Sequence, residues 1–388
     1  MRVLAACSLG GAGHLRPLVP ILDAARRRGA DVLVTGPPAI HDLVGEAGYP
    51  FHAGGEPPEA EVAPIREQLP VVEPAEAARL GNRELFGRLA TAAMLPAMTE
   101  LCARWRPDLI VREPTEYASA VVACRSGVPM LQVAISLAEV EAGSLEIAAP
   151  ALLPVEAAVV DALGAAPYLT PFPDALDPSP FPTTIRFHEP TPHDGGVPLH
   201  DWWLGSDAPL VYVTLGTVVP YMTVAGQRFR ALLDAVAGLD ARVLLTVGRS
   251  FDAATLGRVP DNVHVEAWVD QVAVLPLTRL VVCHGGSGTV LGALAAGVPL
   301  VVVPVFGDQV ENGRRVAAAN AGLMAAEAAV SRTVPAPVAL ITEHVARVLA
   351  DPSYRDAAGR IAHQIASTST ADDALEEALT AARRVRGE

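Results

Sequence analysis

The chain has 388 residues, 51% of them apolar and 19% charged, and a formal net charge of −14. That length calls for two domains rather than one core. The negative balance disfavours nucleic acid and anionic membranes as partners, because neither offers an acidic chain any electrostatic gain.

In chain order, residues 3–7 form an apolar run suited to a buried parallel strand. Gly10-Gly11-Ala12-Gly13-His14 interrupts it. Residues 17–28 then read as a helix that tolerates Pro17 in its first turn and stops at Gly29. Strands are expected at 31–35, 109–112 and 130–134, with a helix at 118–126 between the last two. Alternating strands and helices imply a parallel sheet. Residues 166–198 hold nine prolines. At that density neither a helix nor a central strand continues, so the segment reads as a partly extended passage between domains. A second series follows, with strands at 210–215, 242–247, 263–266, 280–283 and 300–303. Residues 371–386 read as a closing helix, acidic at its start and basic at its end, as the macrodipole favours.

Cys7, Cys102, Cys124 and Cys283 share no CxxC or metal-ligand spacing and read as reduced thiols of a cytoplasmic protein. Residues 4–7 (LAAC) lie too close to Met1 for a lipoprotein signal. The apolar stretch 293–306 is broken by Gly297, Pro299 and Pro304, so no membrane span is expected. No Asp-x-Asp pair occurs, which argues against a metal-held diphosphate. Apart from His14 and His284, the histidines fall in no ligand-spaced cluster; His188 and His193 read as solvated.

The strongest chemical signal is His284-Gly285-Gly286-Ser287-Gly288-Thr289, between an apolar strand and a helix. Glycines let backbone amides approach a ligand, and a helix start offers unpaired N–H donors with partial positive charge. Phosphate oxygens suit that arrangement. The plain alternative is a tight turn without a ligand; His284 and the hydroxyls of Ser287 and Thr289 favour the anion site.

The stretch from 268 to 312 resembles the donor-binding signature of GT-B nucleotide-sugar glycosyltransferases, in particular the bacterial branch that decorates polyketides and other antibiotics. The pieces stand in order: Trp268-Val269-Asp270-Gln271, Leu275-Pro276, HGGSGT, Gly297-Val298-Pro299, Gly307-Asp308-Gln309 and Asn312. Gly13-His14 and Leu215-Gly216-Thr217 extend the resemblance along the chain. It implies an α/β fold of two Rossmann-like domains facing across a cleft: 1–195 for the acceptor, 196–370 for the donor, and 371–388 as a helix packing back on the first domain. It also implies that Trp268 and Val269 face the nucleobase, that His284, Gly286, Ser287, Gly288 and Thr289 hold the diphosphate, that Asp308 and Gln309 bond the sugar hydroxyls, and that Thr217 lies nearby. Trp268 could equally be core, and Asp308 a loop cap.

Two departures from the pattern are informative. Asp270 stands where the signature has proline, which changes the local turn. Gly292 stands where uridine-sugar enzymes of the plant branch carry a ribose-binding glutamate. A deoxyribose has no 2′-hydroxyl to lose, so a dTDP-sugar donor is expected. No cofactor or metal is expected; the nucleoside diphosphate sugar is a co-substrate.

His14 follows a glycine loop at the carboxyl end of the first strand, where open α/β sheets place ligands. An imidazole there can take the proton of an attacking hydroxyl. Glu113, after the strand at 109–112, sits where the family places the acidic partner of its histidine; Glu116 is the fallback, and an ordinary loop carboxylate the plain alternative. The expected reaction is inverting transfer to a small apolar aglycone, bound by residues 56–98 and 136–163. Three alternatives are a sugar-nucleotide epimerase of the same fold, a non-catalytic partner of a transferase, and an NAD-dependent oxidoreductase. The last is disfavoured because Arg16 occupies the final glycine position of the dinucleotide fingerprint. Oligomeric state is not legible, though a homodimer would be unsurprising.

Overall fold

The first apolar run forms strand β1 (Arg2–Ala6), with Val3, Leu4, Ala5 and Ala6 fully buried. A strand buried on both faces needs no alternation, which is why its residues are uniformly apolar. The computed structural model describes residues 1–9, 11–69, 71–189, 207–222, 224–325 and 337–385. Gly10, His193, His200 and the expected domain boundary at 195/196 lie outside the described residues.

After β1 come β2 (Asp31–Gly36), β3 (Phe51–Ala53), β4 (Leu109–Arg112), β5 (Met130–Val133), β6 (Tyr168–Thr170) and β7 (Thr184–His188). The second series comprises β8 (Leu210–Thr214), β9 (Arg242–Thr246), β10 (Val263–Glu266), β11 (Thr278–Cys283), β12 (Leu300–Val302) and β13 (Gly322–Met324). The short β14 (Ser369–Thr370) then pairs with β7. The strand orders are β14-β7-β6-β5-β4-β1-β2-β3 and β10-β9-β8-β11-β12-β13. All pairings among the described residues are parallel. The chain thus separates into two α/β units, Met1–Glu189 with Thr368–Glu388, and Pro190–Ser367.

Two expectations need correction. The proline-rich stretch is not merely a passage, because β6 and β7 both lie in it and join the first sheet. Pro167 precedes β6, Pro171 follows it and Pro182 precedes β7, so no proline removes a ladder N–H from within a strand. The helix expected from residue 17 starts earlier. A short helix, Ala12–Leu15, runs into a 3₁₀ turn, Arg16–Leu18, and then into the helix Val19–Arg27. Pro17 and Pro20 each fall in the first turn of a segment, where no amide donor is needed. His14 therefore sits inside a helical turn rather than in an open loop.

The C-terminal helix Ala371–Val385 buries Ala374, Leu375, Ala378 and Ala382 in the core of the first unit. Arg27 meets Asp372 at 2.6 Å and Arg28 meets Glu376 at 2.9 Å. These pairs are exposed and contribute little; the apolar face holds the helix in place.

A carboxyl buried in the first unit carries a pH-dependent part of its stability. Glu141, on the helix Ala138–Leu152, accepts from the amides of Ile135 and Ser136 at 2.7 Å each, and from the Tyr168 hydroxyl at 2.5 Å. Burial pushes its pKa from 4.5 up to about 8 against those three donors. The folded chain then holds this proton more tightly than the unfolded one, so the contribution to stability is full below the unfolded value and declines as pH rises toward the folded value. Glu141→Gln should flatten the fall in stability between about pH 5 and pH 8 in urea-unfolding series. Equal slopes for the variant and the parent would count against this assignment.

Candidate active site

β1 and β4 are neighbours with Ala6 opposite Arg112, so the residues just beyond both strands meet. The Ser8 amide donates to Glu113 Oε1 at 2.9 Å. Gly11 adopts φ 63°, a conformation that favours glycine, and turns the chain into Ala12–Leu15. This brings His14 over Glu113, with Nδ1 3.1 Å from Oε1. Glu113 is fully buried and the His14 side chain is 18% exposed. Thr115 completes the group. Its amide and hydroxyl donate to Glu113 Oε2 at 2.6 and 2.8 Å, and the hydroxyl lies 3.3 Å from His14 Nδ1. Phe86 stacks on the imidazole with centroids 5.9 Å apart.

Burial alone would raise the Glu113 carboxyl, but His14, the Thr115 amide and Arg112 together hold it below its ordinary value. It is an ionised acceptor. Glu116, the fallback, does other work: its carboxylate accepts from the amides of Ala118 and Ser119 at 3.0 Å each, and caps the helix Ala118–Ser126. The pairing of Nδ1 with Glu113 places the ring proton on Nδ1 and leaves Nε2 as the basic nitrogen.

In the second unit β11 ends at Cys283 and the helix Ser287–Ala295 begins just beyond. Gly285 has φ 88°, and a Cβ there would meet Val302 Cγ1 at 2.6 Å. The loop therefore lies flat against β12, and the helix start keeps the amides of Gly286, Ser287 and Gly288 outside the helical ladder, whereas that of Thr289 already donates to Gly286 O at 3.0 Å. The His284 ring is wedged between two glycines. A Cβ on Gly286 would lie 2.5 Å from Nε2, and one on Gly216 would lie 2.6 Å from Cε1.

Burial lowers the His284 pKa from 6.5 to about 4, so the ring is neutral at pH 7. Its Nδ1 is sealed from solvent and has no hydrogen-bond partner among the described residues. Ser287 Oγ donates to Asp308 Oδ2 at 2.7 Å, which joins a residue expected at the phosphate to one expected at the sugar. Gln309 is buried, and its side-chain oxygen accepts from the amides of Val305 and Phe306 at 2.8 and 3.0 Å. Only the NH₂ end of its carboxamide is left for another partner.

Thr217 is exposed on the turn after β8, Gly288 is exposed, and Thr289 is buried in the first turn of its helix. Trp268 is 47% exposed, so it is not core, and the Arg249 guanidinium lies 4.9 Å over its ring. Val269 is half-buried beside it. Asp270 caps the helix Gln271–Val274 by accepting from the Val272 amide at 3.0 Å, an N-cap role proline cannot fill.

Sequence reasoning missed Thr115, Phe86, Arg249 and the structural part of Asn312. The Asn312 amide donates to Gly285 O at 2.8 Å, and to Ser287 Oγ and Asp308 Oδ2 at 3.1 Å each. Among the described residues no cluster of three His, Cys, Asp or Glu side chains could hold a metal, and no helix is long and apolar enough to cross a membrane.

Residues 23–216 match the family model of the erythromycin biosynthesis protein CIII-like N-terminal domain, and residues 230–379 that of its C-terminal domain. The chain is 34% identical over 397 residues to the elloramycin glycosyltransferase of Streptomyces olivaceus, covering 98% of this chain and 97% of that one. It is 28% identical to the TDP-daunosamine transferase of Streptomyces peucetius, over 92% and 91% of the two chains. Among solved structures, the glycosyltransferase SnogD of Streptomyces nogalater superposes with a TM-score of 0.73 at 25% identity, over 98% of this chain and 99% of that one. The two parallel-sheet units, the glycine-rich helix start and these likenesses agree: the chain belongs to the erythromycin biosynthesis protein CIII-like family and is a GT-B-fold glycosyltransferase of the antibiotic-pathway type.

Proposed function

We propose that the chain is a metal-independent, inverting glycosyltransferase that moves a deoxysugar from a dTDP-linked donor onto a hydroxyl of a small apolar aglycone. The observation that carries this reading is the His14–Glu113 pair, with a fully buried carboxylate 3.1 Å from Nδ1. The alcohol gives its proton to His14 Nε2 as its oxygen bonds to the anomeric carbon. The bond from that carbon to the diphosphate oxygen breaks, and the diphosphate leaves with the electron pair. Attack opposite the leaving group inverts the centre through an oxocarbenium-like state. The Glu113 carboxylate steadies the imidazolium as it forms.

In this reading the first unit takes the acceptor and the second takes the donor. The amides of Gly286, Ser287 and Gly288, with the Thr289 hydroxyl and the neutral N–H of His284, meet the diphosphate. Trp268 and Val269 face the base, Thr217 lies by the phosphate or sugar, and Asp308 with the Gln309 NH₂ group bonds the sugar hydroxyls. The enzyme works in the cytoplasm, with no nucleic acid or membrane partner.

Gly292 supports the thymidine donor, since no side chain there can bond a 2′-hydroxyl. The TDP-daunosamine transferase is a relative whose name carries the same nucleotide. With one sugar presented on dTDP and on UDP to a panel of polyketide aglycones, kcat/KM should favour dTDP by about tenfold or more. A clear preference for UDP would refute the donor assignment, and sugar-nucleotide turnover without acceptor would point to an epimerase.

Gly286→Ala tests the donor loop. The added methyl must displace the His284 ring or the loop itself. Calorimetric titration should show thymidine diphosphate binding weakened about tenfold or more, with the melting temperature little changed. Undiminished affinity would remove this loop from the binding surface.

A further inference from the structure

β4 ends on Arg112, whose side chain is fully buried behind the His14–Glu113 pair. Its guanidinium donates from Nε to Glu116 O at 2.8 Å, and from Nη2 to Glu116 O at 2.6 Å and Pro114 O at 2.9 Å. From Nη1 it donates to Gln132 Oε1 at 2.6 Å. Gln132 lies on the adjacent β5 and donates in turn to Leu163 O at 2.8 Å. Among the described residues no carboxylate accepts directly from Arg112: that of Glu113 faces His14, and that of Glu116 caps a helix. A buried cation without a bonded anion is expensive, and apolar packing of similar volume would serve stability as well.

The contacts of this cation have a pattern. They fall on the carbonyls of residues 114 and 116 and on the sheet beneath. The two side chains of that turn that reach the imidazole are Glu113 and Thr115. We propose that Arg112, anchored by Gln132, is a positioning residue for the transfer reaction: it locks the 113–116 turn so that Glu113 and Thr115 hold His14 with its proton on Nδ1. Lysine cannot replace it, because one point donor cannot span four fixed acceptor contacts. If the turn relaxes by about an ångström, the contact between Nδ1 and the carboxylate is lost. The imidazole then returns toward the Nε2–H form, which cannot accept the alcohol's proton.

The inference rests on His14 as the base, but its readout needs no turnover. Long-range ¹H–¹⁵N spectra of the full-length protein, labelled at histidine and free of nucleotide, report the tautomer; the His14 signal is assigned by its absence in His14→Ala. The parent should show the Nδ1–H form. Arg112→Met and Arg112→Lys should raise the Nε2–H share roughly threefold or more, and Gln132→Leu should shift it the same way by less. Melting temperatures are recorded alongside, because a purely structural role would lower them and leave the tautomer unmoved. A folded Arg112 variant with the parental tautomer overturns the proposal. Should the Arg112 variants fail to fold, Gln132→Leu decides, and an unmoved tautomer there overturns it equally. Normal turnover in His14→Ala would sink the base and leave this tautomer result standing, so the two failures are distinguishable.

Discussion

His14→Ala should lower kcat for sugar transfer by about 10²–10⁴-fold while leaving the fold intact. The ring is partly exposed and contributes its polar contacts mainly to Glu113 and Thr115, so its loss removes chemistry more than packing. Thymidine diphosphate should bind as before, because the residues proposed to meet the donor lie on the second unit. The variant leaves Glu113 buried without its imidazole partner, though the amides of Ser8 and Thr115 still bond it. A melting temperature within a few degrees of the parent is therefore expected, on the order of 1 kcal/mol. Turnover near the parental rate in a folded His14→Ala would exclude the imidazole as base.

Glu113→Gln should be nearly as damaging for a different reason. A carboxylate only accepts, which keeps the proton of His14 on Nδ1. A carboxamide can present its NH₂ group to Nδ1 instead and stabilise the Nε2–H ring, which has no lone pair to offer the alcohol. Replacing the acid of a Ser-His-Asp triad by its amide costs about 10⁴ in kcat for the same reason, and a loss of about 10³–10⁴ is expected here. The NH₂ group then replaces the oxygen that accepts from the Ser8 amide, while Thr115 keeps its acceptor, so stability should also fall by about 1–3 kcal/mol. A Glu113→Gln enzyme within tenfold of the parent would show that the carboxylate does not set the tautomer. Glu116→Gln offers the contrast: its carboxylate caps a helix, so stability should suffer more than rate.

What could be read in advance divides along physical lines. The apolar runs and glycine loops of both βα series were legible because buried parallel strands and tight turns leave local marks. The strands β6 and β7 were not, since the stretch as a whole is dense in proline while Pro167, Pro171 and Pro182 stand just outside the two strands. Glu113 and Glu116 are three residues apart and chemically alike. Only the turn that Arg112 clamps decides which one faces His14 and which one caps a helix. The neutral state of His284 was invisible for a similar reason: burial follows from packing between Gly216 and Gly286, which lie far apart in sequence. Asn312 could be matched as a motif letter, but its bonds to Gly285, Ser287 and Asp308 exist only once the loops are folded together.

The proposed transfer depends most on where a nucleoside diphosphate settles. A crystal structure with thymidine diphosphate should place the terminal phosphate against the amides of Gly286, Ser287 and Gly288, with the base at Trp268 and the Arg249 guanidinium moved or stacked beyond it. Density for a bound nucleotide whose phosphates lie away from that helix start would contradict the proposed donor site.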